Sequence, residues 1–264
     1  MSGTFGRDTE SVPYWEREAA RYHDHVGGSR TAYHDGRLRT ADRLLERAAL
    51  PAGARVVDFG CGDGVYGRRL AAAGFDVVGL DPAAAMIDLA RERGGGPAYE
   101  VGGAGELRVA GPFDALVALN VLAYMTDAEM ATLWSALEEQ LQPGGVLLVS
   151  HSNALFDLFA LNGGTERFFA EHFTGGLPVA ELLVDAAGGH PGYNVRANPF
   201  TYGDELAAHG LTLEALAYFN FHPLPPALLG EGDAGRIVDP DEVERVPLWK
   251  QQFQCSTLFA LARR

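Results

Sequence analysis

The chain has 264 residues, 47% of them hydrophobic, and a formal net charge of -14 from 21 basic and 35 acidic side chains. That length accommodates one α/β domain with embellishments and a full core. The acidic balance, with no run of clustered basic residues, argues against nucleic acid, whose phosphates would repel the chain. Cys61 and Cys255 form no disulfide framework and suit a reducing cytoplasm. The N-terminal stretch is polar and charged, without a signal peptide, and no apolar run approaches the ~20 residues a bilayer requires. The expectation is a cytoplasmic protein without membrane contact.

Tyr14 to Val26 carries a helical pattern with Trp15, Ala19, Tyr22 and Val26 on one face. Gly27-Gly28 breaks it, and Ser29 suits the cap of a further helical stretch bearing Tyr33, Leu38, Leu44, Leu45 and Ala48. Residues 1–49 thus form a helical arm or lid ahead of the main domain, 50–264. Val56-Val57-Asp58-Phe59 then reads as a buried strand, and Gly60-Cys61-Gly62-Asp63-Gly64 turns into a helix over Tyr66 to Ala73. Val77 to Asp81 is a second strand ending in a carboxylate. Asp81 also suits the N-cap of the following helix, with Pro82 in its first turn. Ala83 to Arg91 is that helix, and Ala98 to Val101 is a third strand.

Phe113 to Asn120 is apolar enough to be buried on both faces. Thr126 with Glu129 makes a capping box for a helix to Leu141, with Met130, Leu133, Leu137 and Leu141 on one face. Gln142-Pro143-Gly144-Gly145 ends it, and Val146 to Ser150 is strand five. His151-Ser152-Asn153 follows at its carboxyl end. Ala154 to Phe173 is rich in phenylalanine and split at Gly163-Gly164, and about 152–200 reads as a cap insertion. Tyr202 to His209 is a helix, Leu211 to Phe219 strand six and Gln252 to Leu261 strand seven.

G-x-G-x-G with Asp58 upstream, Asp81 about 20 residues on, the Phe113-Asp114 entry to strand four and Leu141-Gln142-Pro143-Gly144-Gly145 together resemble the class I S-adenosylmethionine-dependent methyltransferases of small-molecule type. A nicotinamide fingerprint would need a glycine where Val65 stands. The resemblance implies an α/β Rossmann-like seven-stranded mixed sheet, its last strand antiparallel between strands five and six, with helices on both faces. It places S-adenosylmethionine against Asp58, Gly60, Cys61, Gly62, Asp81, Pro82, Met86, Ala104 and Asn120, with Asp81 on the ribose hydroxyls. The acid that usually follows strand three is missing unless Glu106 substitutes, so backbone near Ala104 is expected to read the adenine.

The reaction implied is methyl transfer to an oxygen or nitrogen of a small molecule, leaving S-adenosylhomocysteine. Bacterial secondary metabolism and sugar tailoring are the settings considered; a carbon acceptor or a non-catalytic cofactor-binding protein are the alternatives. His151 and His222, at the ends of strands five and six, are the candidate bases, against the plainer reading of satisfied structural histidines. Substrate candidates are Tyr14, Tyr22 and Tyr33 of the arm and Asn153 and Phe156 of the cap, against simple packing roles. His23, His25 and His34 do not share a helix face, so no metal is expected. The protein is expected to be a monomer or homodimer.

Overall fold

The computed structural model describes residues 11–19, 31–108, 111–161, 163–165, 168, 196–228 and 235–264. Two helices precede the sheet, α1 (Val12–Glu18) and α2 (Thr31–Ala48). Strands β1 (Arg55–Phe59), β2 (Asp76–Asp81), β3 (Ala98–Val101) and β4 (Phe113–Leu119) pair in parallel in the order β3-β2-β1-β4. Helices α3 (Val65–Ala72) and α4 (Ala84–Arg93) make the crossovers. The order reverses between β1 and β4, and at such a switch point the carboxyl ends of the strands leave a crevice.

After β4, the capping box forms as its spacing predicts: Thr126 Oγ1 accepts from the Glu129 N–H, and Glu129 Oε2 accepts from the Thr126 N–H at 2.7 Å. Helix α5 (Asp127–Gln140) follows, then β5 (Leu141–Asn153), which is longer than expected at both ends. Leu141 already pairs with Phe113 ahead of the Pro-Gly-Gly irregularity, and His151 and Ser152 stay in the ladder opposite Leu258 and Thr257. The remaining elements are α6 (Ala154–Ala160), β6 (Arg196–Ala197), α7 (Tyr202–Ala207), β7 (Thr212–Phe221), α8 (Pro240–Glu244), α9 (Leu248–Gln254) and β8 (Cys255–Arg263). Strand β8 lies antiparallel between β5 and β7, which is the expected topology. One short strand is additional, since β6 pairs with the end of β5. Gln252 to Gln254, expected in the last strand, are helical because Pro247 opens a turn that runs to the start of β8.

Side-chain alternation along the strands sorts the core into two layers. On one face Leu38, Leu44 and Leu45 of α2 and Tyr66 and Leu70 of α3 cover Val56, Val117 and Leu148. On the other, Leu133 and Leu137 of α5 and Tyr202 and Leu206 of α7 cover Val57, Leu116 and Leu147. Arg39 and Arg43 of α2 pair with Asp239, Asp241 and Glu244 around α8, tying the leading helix to the last third of the chain. Most of the expected cap, about 152–200, lies outside the described residues.

Candidate functional site

At the end of β1 the chain turns through Gly60, Gly62 and Gly64, all left-handed, with φ of 69°, 54° and 74°. A Cβ on Gly60 would sit 2.3 Å from Val121 Cγ2, and one on Gly64 would meet the Tyr99 hydroxyl at 2.4 Å. Glycine is required at both, for conformation and for space. Asp81, at the end of β2, organises this loop: its Oδ2 accepts from the Gly62 N–H and its Oδ1 from the Ala83 N–H, both at 2.9 Å. Asp81 is not the N-cap of the following helix, a place taken by Ala83; its carboxylate instead ties the Ala83 N–H to the glycine turn. Two further lone pairs remain on it.

Below the loop lies Asp58, buried, with Oδ2 making no hydrogen bond. Burial pushes its carboxyl up to about 7, against the pull of the Gly67 N–H, and the charge of Asp81 adds to the rise. Arg37 of α2 lowers it, and the Arg37 Nε is itself buried without a partner. An acid and a base with unused hydrogen-bonding capacity thus line the same cavity. Burying either without compensation is costly, so the arrangement fits a ligand end carrying both charges.

The cavity is continued by Pro82, Met86 and Ala104 on the β2 side and by Leu119, Asn120 and Tyr124 at the end of β4. Asn120 is left-handed (φ 63°), held there by its N–H donated to Ser150 Oγ at 2.8 Å. Asp58, Gly60, Cys61, Gly62, Asp81, Pro82, Met86, Ala104 and Asn120, the whole set expected around a cofactor, are brought together on this one surface.

Trp15, Arg37, Tyr124 and Glu129 also line it. Trp15 stands edge-on to Tyr124 with ring centroids 5.4 Å apart. Helix α1 is fixed there by Glu16, whose carboxylate accepts from the N–H groups of Ala84 and Ala85 at 2.7 and 3.2 Å. Ala83 has no side chain to cap α4, so an acid from another element satisfies the exposed donors at the helix's positive end.

The remaining expected residues lie elsewhere. Asn153 donates to the carbonyls of Gln252 and Cys255 at 2.7 and 2.8 Å and accepts from the Leu155 N–H, so it fastens α6 to the start of β8. Its side-chain hydrogen bonds to protein backbone leave it a staple rather than a substrate contact. Phe156 packs on His222 at 4.8 Å, and Tyr33 on Phe219 at 5.3 Å within the core. Tyr14 packs on Trp15 and does not line the cavity; Tyr22, His23 and His25 lie outside the described residues. His151 shares the face of Leu147 and Val149, two and four positions away, which turns it toward α5 and α7. Its Nε2 lies 2.6 Å from the Tyr202 hydroxyl, and burial pushes the imidazole down to about 4. His222 Nε2 faces Asn220 Nδ2 at 3.1 Å. Neither histidine lines the glycine-loop cavity. Among the described residues no cluster of three His, Cys, Asp or Glu side chains could hold a metal, and no helix is long and apolar enough to cross a membrane.

A methyltransferase-domain family matches residues 56–145. The chain is 32% identical over 171 residues to a ubiquinone biosynthesis O-methyltransferase of Methylobacterium sp. (strain 4-46), covering 58% of this chain and 67% of that one. It is 37% identical over 114 residues to the Azorhizobium caulinodans protein of the same name, covering 41% of this chain and 44% of the relative. The chain spans about half the length of most of the curated relatives it matches. In fold it resembles magnesium protoporphyrin IX methyltransferase from Synechocystis PCC 6803, solved with bound S-adenosylhomocysteine, with a TM-score of 0.59 at 17% identity over 96% of this chain and 97% of that one. With its glycine loop, the carboxylate closing β2 and the reversed strand inserted beside β5, the chain belongs to the class I S-adenosylmethionine-dependent methyltransferases.

Proposed function

We propose that the chain transfers a methyl group from S-adenosylmethionine to an oxygen or nitrogen atom of a small molecule. The observation that carries this reading is the pair of unsatisfied groups, Asp58 Oδ2 and Arg37 Nε, on the cavity that the glycine loop and Asp81 complete. An amino-acid end, ammonium and carboxylate together, matches an acid and a guanidinium on one cavity. Asp81 has capacity left for vicinal hydroxyls after serving Gly62 and Ala83. Pro82, Met86 and Ala104 offer a small, mostly apolar slot for a flat ring.

When bound, the cofactor supplies a methyl group already made electrophilic by the sulfonium charge. What this chain contributes is position and exclusion of water. The glycine turn admits close approach of the backbone, Asp81 fixes one end of the ligand, and Trp15 and Tyr124 stand side by side at the cavity on elements remote in sequence. His151, held neutral by burial and facing Tyr202, is a structural residue in this reading, and so is His222 beside Asn220. The negative net charge supports a small-molecule acceptor rather than nucleic acid.

The reading is tested by incubating the chain with methyl-labelled S-adenosylmethionine and a panel of phenols, carboxylic acids, amines and sugars, followed by mass spectrometry. A labelled acceptor appearing together with S-adenosylhomocysteine is the expected result. Failure of S-adenosylhomocysteine to bind at all in calorimetry would overturn it.

A further inference from the structure

A second cavity, of about 310 Å³, lies between α5 and α7 over the carboxyl half of β5. It shares no lining residue with the glycine-loop cavity. Its size falls at the lower end of small-molecule sites, enough for a single ring with a short side chain. The walls are Met130 and Trp134 of α5, the buried His151–Tyr202 pair, and Glu205 and His209 on and after α7. Trp134 and His209 stack nearly parallel, with centroids 4.5 Å apart and planes 11° apart, so the indole is held in a fixed orientation.

Among the described residues the charges around this cavity are mostly acidic. Arg196, the cation on its wall, is engaged by Asp157 at 2.5 Å. His209 has Glu138 at 3.6 Å, and among the described residues Glu205 has no charged partner at salt-bridge distance, only a long contact from Thr201 Oγ1 at 3.4 Å. Partial burial raises the Glu205 carboxyl above its ordinary range, as expected for an acid with too little compensation. An indole face, a thioether and a carboxylate on one cavity wall together are the chemistry that recognises an organic ammonium ion. The overall charge of -14 draws such cations toward the surface.

We propose that this cavity is a second small-molecule site, distinct from the cofactor cleft, that takes an arylalkylammonium ion, its ring against Trp134 and Met130 and its charge toward Glu205. The site is separated from the cleft by single steps along the chain. Met130 follows Glu129 on α5, and His151 follows Ser150, whose Oγ holds Asn120.

The test is a calorimetric titration of 2-phenylethylammonium into the full chain saturated with S-adenosylhomocysteine. Saturable one-to-one binding is expected, weakened about tenfold by Trp134→Leu, which removes the aromatic ring contact. Glu205→Gln, an exposed change that leaves the fold alone, is expected to weaken it about threefold and to abolish preference over neutral 3-phenylpropanol. No saturable binding, displacement of the ammonium ion by S-adenosylhomocysteine, or equal binding of 3-phenylpropionate would each overturn the proposal.

Discussion

The two halves of the sheet differ in what their polar groups face. At the carboxyl ends of β1, β2 and β4, Asp58 is buried with an unused oxygen, Asp81 keeps lone pairs beyond its two backbone bonds, and Arg37 has a buried unpaired nitrogen. At the ends of β5, β7 and β8, polar side chains are spent on one another: Asn153 on three backbone groups, His151 on Tyr202, and Asn220 on Ser256 and His222. One half turns its unused capacity onto the glycine-loop cavity; the other spends the same residue types largely on fastening, although His151 Nδ1 and Asn220 Oδ1 are also buried without a partner among the described residues. Position at the carboxyl end of a parallel sheet is thus necessary for a site but does not make one.

Substitutions should separate the halves. The largest effect is expected from Asn153→Ala, which strands one buried and one part-buried carbonyl and uncaps α6. A loss of about 3 kcal/mol, roughly 6–12 °C in melting temperature, should appear by calorimetry with S-adenosylhomocysteine affinity unchanged. Asp81→Ala should cost about 1–3 kcal/mol in S-adenosylhomocysteine binding, since a charged acceptor is lost at the ligand, and some stability as well, since the Gly62 and Ala83 N–H groups lose their acceptor. If Asn153→Ala lowered affinity as well as stability, the division between fastening and binding would fail.

A third expectation concerns pH. The folded Asp58 carboxyl titrates at about 7 against an ordinary 3.8, so between these values the folded chain holds a proton that the unfolded chain has lost. Its contribution to stability is therefore full in acid and fades as pH rises through about 7. Ligand affinity should run the other way. An ammonium group needs the ionised form, so S-adenosylhomocysteine binding should weaken by up to about tenfold per pH unit below about 7. Asp58→Asn should flatten both dependences, and an unchanged slope in the variant would remove Asp58 from the site. The smallest effect belongs to Arg43→Ala: its partly exposed pairs with Asp241 and Glu244 should be worth less than about 1 kcal/mol, and less in salt.

What the sequence disclosed follows the range of the interactions involved. The glycine turn, the acid closing β2 and the capping box at Thr126 are local: spacing alone brings their residues together, and they stand where the spacing put them. Trp15, Arg37 and Tyr124 reach the cavity from elements separated by tens of residues, and no local pattern marks them. His151 lies away from the cleft for a different reason. The strand runs on past Ser150 instead of ending there, a strand delivers neighbouring side chains to opposite faces, and the parity of Leu147 and Val149 assigns His151 to the face of α5 and α7. Tyr33 shows the reverse ambiguity, since an aromatic on an amphipathic helix serves the core unless the cleft lies beneath it.

The placement of β8 has a consequence for how the chain acquires its shape. Among the described residues β7 reaches the sheet through β8 alone, although β7 is made first. On the ribosome, residues 212–221 must wait with their edge unpaired until 255–263 emerge and slide in beside β5. The β1–β4 core needs no such delay. The order of assembly is thus written into the topology, with the fastened half setting last and its exposed edge the moment of greatest risk for misassociation.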